Sequence, residues 1–200
     1  MSLFRSYKIL SDEELMSLIT AGDKRGLKEI YDRYSHKLLF YFYRMFAGDE
    51  EKSQDFLQDV FLKIIEKPNL FNPKLKFSTW IFTIASNLCK NEYRRLKVRE
   101  IVESQPNLDT HACRDDDQGK NIDNNIIEKA IESELARMDP DQSSTFILRF
   151  QENLSIKEIG AILDCSPGTV KSRLFYITRK LSSRLSEYNP SHSGDKSNES

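Results

Sequence analysis

Thr169, Lys171, Ser172, Arg173, Phe175 and Arg179 bring cations, hydroxyls and an aromatic ring together in one short stretch, "GTVKSRLFYITRKL". That mixture suits contact with a nucleic acid. An arginine fork bonds guanine edges, lysine and arginine hold phosphates, a serine serves either, and a ring meets a thymine methyl. Arg173 is the candidate for the base edge, Lys171 and Arg179 for phosphate, Ser172 for both, and Phe175 for the methyl. Competing chemistries lack their residues: there is no Gly-rich phosphate loop, no G-x-S-x-G and no H-E-x-x-H. His111 and Cys113 are two apart, a poor metal spacing with no second ligand pair, so neither metal nor cofactor is expected. Cys89, Cys113 and Cys165 are odd in number and scattered, which fits reduced thiols rather than a disulfide frame. The expectation is a binding protein, not an enzyme.

Such residues work only if something aims them. Ser155 and Glu158 form a capping-box pattern that opens a short helix, "SIKEIGAIL". "DCS" makes a turn, Ser166 can cap the next helix, and Pro167 suits its first position, where a missing N–H costs nothing. Val170, Leu174, Ile177 and Leu181 then share one face, against Ile159 and Ile162 of the helix before. With that face inside, the polar set falls on or beside the outer side. This is a helix-turn-helix arrangement, whose second helix enters the major groove. The plainer reading is a helical hairpin with a basic outer face.

Charge separates along the chain although the net is only −1 over 200 residues. Residues 76–99 hold six bases against one acid, 100–142 twelve acids against four bases, and 155–184 six bases against two acids. Two cationic segments flanking an acidic one suggest two contacts with a polyanion. The composition (38% apolar, 30% charged, seven glycines, six prolines) favours helices over sheets. The start lacks a signal-peptide pattern, and "LLFYFY" is too short to span a bilayer, so a soluble cytoplasmic protein is expected.

The N-terminal half reads as helices throughout. Ser11 and Glu14 form another capping box. A helix from about Asp23 carries Leu27, Ile30, Tyr31, Tyr34, Leu38 and Phe42 at spacings of three and four, a core stripe. "SQDFLQDVFLKIIEK" puts Phe56, Leu57, Val60, Phe61, Ile64 and Ile65 on one side, with Gln54, Asp55, Gln58, Asp59 and Lys63 around the rest, and stops at Pro68. A loop with Pro68 and Pro73 leads into "FSTWIFTIASNLCKNEYRRLKVRE", a helix apolar in its first half and basic in its second. The predicted division is an N-terminal domain over 1–99, an acidic flexible linker over 100–123, a C-terminal helix-turn-helix domain over 124–188 and a disordered tail over 189–200. The fold class is all-α, two small helical domains.

"SIKEIGAILDCSPGTVKSRLFYITRKL" resembles the promoter-reading C-terminal domain (region four) of bacterial RNA polymerase sigma factors, above all the extracytoplasmic-function (ECF) group. "DFLQDVFLKII" resembles the helix by which sigma factors grip the clamp helices of the beta-prime subunit, and "KFSTWIFTIASNLCKNEYRR" resembles the segment of region two that melts and reads the minus-ten element. The motifs occur in the family's order, and the two domains span most of residues 10–188. The resemblance implies promoter-specific transcription initiation with core RNA polymerase (beta-prime clamp helices, beta flap), promoter DNA and an anti-sigma factor as partners. By the same resemblance Gln54, Asp55, Gln58 and Asp59 face the polymerase. Asn87 and the 66–76 loop, with Asn69, Leu70 and Phe71, read the minus-ten element, and Lys90, Arg94 and Arg95 hold phosphates. Thr169, Lys171, Ser172, Arg173, Phe175 and Arg179 read the minus-thirty-five element. Trp80 divides between core packing and a place beside the unpaired strand. Where housekeeping sigma factors place paired tryptophans, this chain has Thr83 and Ile84. The rival reading is a stand-alone helix-turn-helix regulator binding DNA as a dimer, which leaves the polar face of the 54–66 helix unexplained.

Overall fold

The computed structural model describes residues 7–103 and 122–185. Among these residues there are eight α-helices, two short 3-10 turns and no strand. Helix α1 (Asp12–Thr20) opens on the capping box: the Glu14 N–H donates to the Ser11 hydroxyl, and the Ser11 N–H to the Glu14 carboxylate. Helix α2 (Lys24–Met45) starts at Asp23, whose carboxylate accepts from the Arg25 N–H. Ile30, Tyr34, Leu38, Tyr41, Phe42 and Met45 bury one side of it. Tyr31 departs from the expected stripe: it is 47% exposed and lies against Phe61.

Ala47 and Gly48, both at positive φ, turn the chain tightly into α3 (Glu50–Glu66). Here Leu57, Val60, Phe61 and Ile64 are buried, whereas Ile65 is 51% exposed, one position beyond the edge of the apolar stripe. Pro68–Leu70 forms a 3-10 turn, followed by α4 (Phe77–Glu103). Phe77, Ile81, Phe82, Ala85 and Cys89 bury its first half, while residues 94–99 are exposed. At 1.5 Å per residue α4 is about 40 Å long, so its basic end reaches beyond the core.

The second half contains α5 (Ile122–Ala136), α6 (Pro140–Phe150), α7 (Ile156–Leu163) and α8 (Pro167–Leu185). Helix continues to Glu103 on one side and resumes at Ile122 on the other, so both margins of the segment read as a linker are helical. Residues 104–121, with His111 and Cys113, and the tail from 186 lie outside the described residues.

The two halves meet face to face. Ile147, Leu148, Ile159, Ile162, Leu163 and Val170 join α1–α4 in one apolar cluster, with α7 lying against α4 and α6 against α2. A second cluster of Leu135, Met138, Ile177 and Leu181 belongs to the C-terminal half alone. At the junction the Tyr41 and Ser144 hydroxyls share a buried hydrogen bond of 2.7 Å. Ser143 and Thr145 donate to the carbonyls of Leu135 and Asp141. No described helix is long and apolar enough to cross a membrane.

Candidate nucleic-acid interface

The α7–turn–α8 unit is built from caps and one close approach. The Ser155 N–H donates to the Glu158 carboxylate at 2.9 Å, and the Glu158 N–H to the Ser155 hydroxyl at 3.3 Å. Asp164 takes the left-handed conformation (φ 53°) that ends α7, a backbone state Asp tolerates better than most residues. Gly160 is required where the turn folds back, since a Cβ there would stand 2.8 Å from the Cys165 carbonyl oxygen. The Ser166 hydroxyl caps α8, accepting from the Thr169 N–H at 3.1 Å. Val170, Ile177 and Leu181 are buried, as the apolar stripe requires, and Leu174 is half-buried.

On the outer side Lys171, Ser172, Phe175 and Arg179 are exposed. Tyr176, which sequence reasoning passed over, is as open as Phe175 (62% against 60%), and their rings meet edge to face at 5.6 Å. Its position directly after Phe175, off the apolar stripe, was the available signal. Thr169 is half-buried, and its hydroxyl shares a 2.9 Å hydrogen bond with Ser166, so it serves the cap. Arg173 does not stand on the outer face. It turns inward, with Nη2 donating to Asp141 at 2.8 Å and Nη1 3.8 Å from the Cys165 sulfur. Lys180 and Arg184 both reach the buried Glu134, which Arg137 shares.

The second cationic site lies on α4. Arg94 and Asn87 are exposed. Lys90 is half-buried, 3.3 Å from Asp141 and donating to the Leu163 carbonyl at 3.1 Å. Arg95 pairs with Glu92 at 2.8 Å, and Lys52 reaches the same carboxylate at 2.8 Å. Burial works against ionisation of Glu92, but hydrogen bonds from Lys52 and Arg95 outweigh it and hold its pKa below the ordinary value.

Asn69 and Leu70 are exposed at the tip of the loop before α4, and Leu70 is 63% open. Phe71, expected to read the minus-ten element beside them, is instead buried. Its ring packs 5.6 Å from Phe77 and 5.3 Å from Trp80. The apolar loop between two prolines needed an anchor, and Phe71 supplies it. Trp80 is half-buried on that aromatic pair, one side in the core and the other open.

Gln54, Asp55, Gln58 and Asp59 are exposed together on α3. Asp55, Gln58 and Asp59 line a groove together with Phe56, Leu62, Leu88, Asn91, Glu92 and Arg95, a mixed apolar and polar surface. Among the described residues no group of His, Cys, Asp and Glu could hold a metal ion.

Two family models match the chain in sequence order: Sigma-70 region 2 over residues 30–99, and Sigma-70 region 4 over residues 128–181. The RNA polymerase sigma-H factor of Pseudomonas aeruginosa is 28% identical, over 82% of this chain and 88% of that one. The ECF RNA polymerase sigma-E factor of Haemophilus influenzae is 28% identical, over 88% of this chain and 96% of its own length. Among solved structures, CnrH in complex with the cytosolic domain of CnrY is similar with TM-score 0.64 at 22% identity, over 88% of this chain and 97% of that one. The sigma factor RpoE in complex with the anti-sigma factor NepR from Bartonella quintana gives TM-score 0.65 at 21% identity, over 80% of this chain and 96% of that one. At these identities the structural likeness speaks for the fold.

Proposed function

This chain belongs to the ECF group of the sigma-70 family, and from that premise we propose how its residues divide the work of a sigma factor. The chain binds core RNA polymerase and directs initiation at specific promoters. The observation that carries this reading is the pair of family matches at opposite ends of the chain, in the family's order.

In our assignment residues 1–99 bind polymerase and read the minus-ten element, and residues 124–188 read the minus-thirty-five element, with the acidic 100–123 segment between them. Asp55, Gln58, Asp59 and Gln54 offer the beta-prime clamp helices an exposed polar rim. Asn69, Leu70 and Asn87, with the open side of Trp80, meet the separated strand, where base–aromatic stacking contributes about 1–3 kcal/mol per base. Lys90, Arg94 and Arg95 hold the neighbouring phosphates. In the major groove Lys171, Ser172, Phe175 and Arg179 make the first contacts, and Arg173 joins them once it leaves Asp141. The role is recognition, with no reaction of its own, in the cytoplasm. An anti-sigma factor is the proposed regulator. The complex of the sigma factor RpoE with the anti-sigma factor NepR, in which RpoE shares this fold, supports that choice.

The test is reconstitution. The purified protein, added to bacterial core polymerase, should co-elute with it and yield promoter-specific transcripts. Asp55→Ala combined with Gln58→Ala should abolish both while helicity by circular dichroism is retained. Tight operator binding by a core-free dimer that ignores polymerase would replace this reading with the stand-alone regulator.

A further inference from the structure

Helix α4 opens at a residue that cannot cap it. The Trp80 N–H donates to the Lys76 carbonyl at 3.2 Å, which puts Lys76 at the capping position, and an ammonium side chain has no acceptor to offer. The first helical N–H, that of Phe77, has no partner within the helix. Phe77 is wholly buried, so that donor is shielded from water as well. Its acceptor comes from 64 positions earlier: the half-buried Glu13 of α1 takes the hydrogen bond through Oε1 at 2.9 Å. A carboxylate there also meets the positive end of the α4 dipole.

Glu13 is itself held from behind. Its neighbour Asp12 accepts from Arg33 at 2.7 Å and from the Tyr34 hydroxyl. Arg33 also donates to the carbonyls of Tyr7, Lys8 and Leu10, so the chain entering α1 is pinned to α2. Helix α1 lies against the Pro68–Leu70 turn as well as against α4, and thus supports the 66–76 loop at both ends. The Phe77 ring adds an apolar tie, packing edge-on to Tyr34 at 5.1 Å and to Phe71 at 5.6 Å. Asn69 and Leu70 stand exposed between these fixed points, and Trp80 follows three residues into α4.

We infer that Glu13 is a positioning residue for minus-ten recognition: by capping α4 from α1, it fixes how the loop enters the helix and hence where Asn69, Leu70 and Trp80 stand against the separated strand. Glu13 acts through the Phe77 N–H and not by contact with a base. Separated bases lack the fixed frame of a duplex, so the geometry of the contact has to be built into the protein and held by supporting hydrogen bonds. In the sequence Glu13 is one of three acids in the first turn of α1, and nothing local distinguishes it. This inference rests on the assignment of the 66–76 loop to the minus-ten element proposed above.

Two measurements test it. Amide hydrogen exchange should find the Phe77 N–H protected in the free protein, and Glu13→Ala should speed its exchange about tenfold. Glu13→Gln, whose amide oxygen still accepts, should keep it slow. In a promoter-library selection with holoenzyme, Glu13→Ala should lower discrimination among bases at the minus-ten element about three- to tenfold, the size of one lost helix cap. Affinity for core polymerase and minus-thirty-five preference should stay as in wild type, and Glu13→Gln should restore most of the discrimination. Tyr93→Phe withdraws a hydrogen bond from the Met45 carbonyl elsewhere in the same core. It should lower stability and leave base preference alone, which separates positioning from stability. Unchanged minus-ten discrimination in Glu13→Ala, an equal loss in Tyr93→Phe, or a Glu13→Gln variant as poor as Glu13→Ala would overturn the inference. If Glu13→Ala fails to fold, Glu13→Asp, which keeps the charge but is one methylene short, decides by the same readouts. A wild-type holoenzyme that fails to initiate would instead overturn the sigma reading, whatever the variants do.

Discussion

At the scale of single residues, Glu158 shows how one carboxylate joins local and long-range structure. Hydrogen bonds from Lys76 and then from Ser155 hold its pKa down at about 2, against an ordinary 4.5. The depressed value fixes the sign: the contact's contribution is fully present above pH 4.5 and is lost as pH falls toward 2. Lys76→Met should raise the Glu158 midpoint in a carboxyl-carbon NMR titration, yet leave it below 4.5 because Ser155 still donates. An unmoved midpoint would mean that Lys76 does not hold Glu158 in solution. Arg173 and Phe71 mark where residue types ran out as a guide. Spacing placed Arg173 near the outer edge of α8, but only the fold brings Asp141, 32 positions away, within 2.8 Å of it. An aromatic residue in a loop gives no sign of whether it will serve as anchor or contact, and Phe71 is the anchor.

At the scale of elements, the helix-turn-helix depends on Gly160. In an ordinary helix Gly→Ala gains up to about 1 kcal/mol from propensity. Here the new Cβ would sit 2.8 Å from a backbone oxygen, which cannot swing aside as a side chain would. Gly160→Ala should therefore destabilise the chain by about 1–3 kcal/mol in urea unfolding, the usual cost of overpacking, and lower duplex binding with it. A stabilised variant would show that the turn yields. Both capping boxes, the starts of α1, α7 and α8 and the end of α3 were legible because Ser–Glu pairs and prolines act over three or four residues, within reach of a sequence pattern. The Ala47–Gly48 turn was not read from the sequence, since alanine carries no sign of a left-handed conformation. In α4 the change from apolar to basic was visible in the sequence and coincides with the point where the helix leaves the core.

At the scale of the whole molecule, the junction between the halves is the feature that periodicity could not supply. Each stripe tells a helix to bury a face, but not which other face will cover it. Tyr41 lies outside the stripe read from α2, and Asp141 looked like one more acid in an acidic stretch. Together with Ser144 they define how the halves meet. Tyr41→Phe leaves the Ser144 hydroxyl without this partner in a buried place and should cost about 1 kcal/mol in urea unfolding. Combined with Ser144→Ala, the two losses should sum to less than their separate costs, because they remove one shared hydrogen bond. Strict additivity would mean that the hydroxyls do not interact in solution.

Cys89 sits in the shared core, 1% exposed, with burial pushing its thiol pKa well up, while Cys165 beside the turn is half-buried. A thiol that is neither reachable nor ionised does not react. An alkylating reagent should thus mark Cys165 while the molecule is intact and reach Cys89 only during moments when the core comes apart. The rate of the second mark, read by peptide mass spectrometry, is then the product of the opening equilibrium and the reagent's intrinsic speed. The chain carries its own clock, in which an ordinary cysteine counts how often each molecule has come undone.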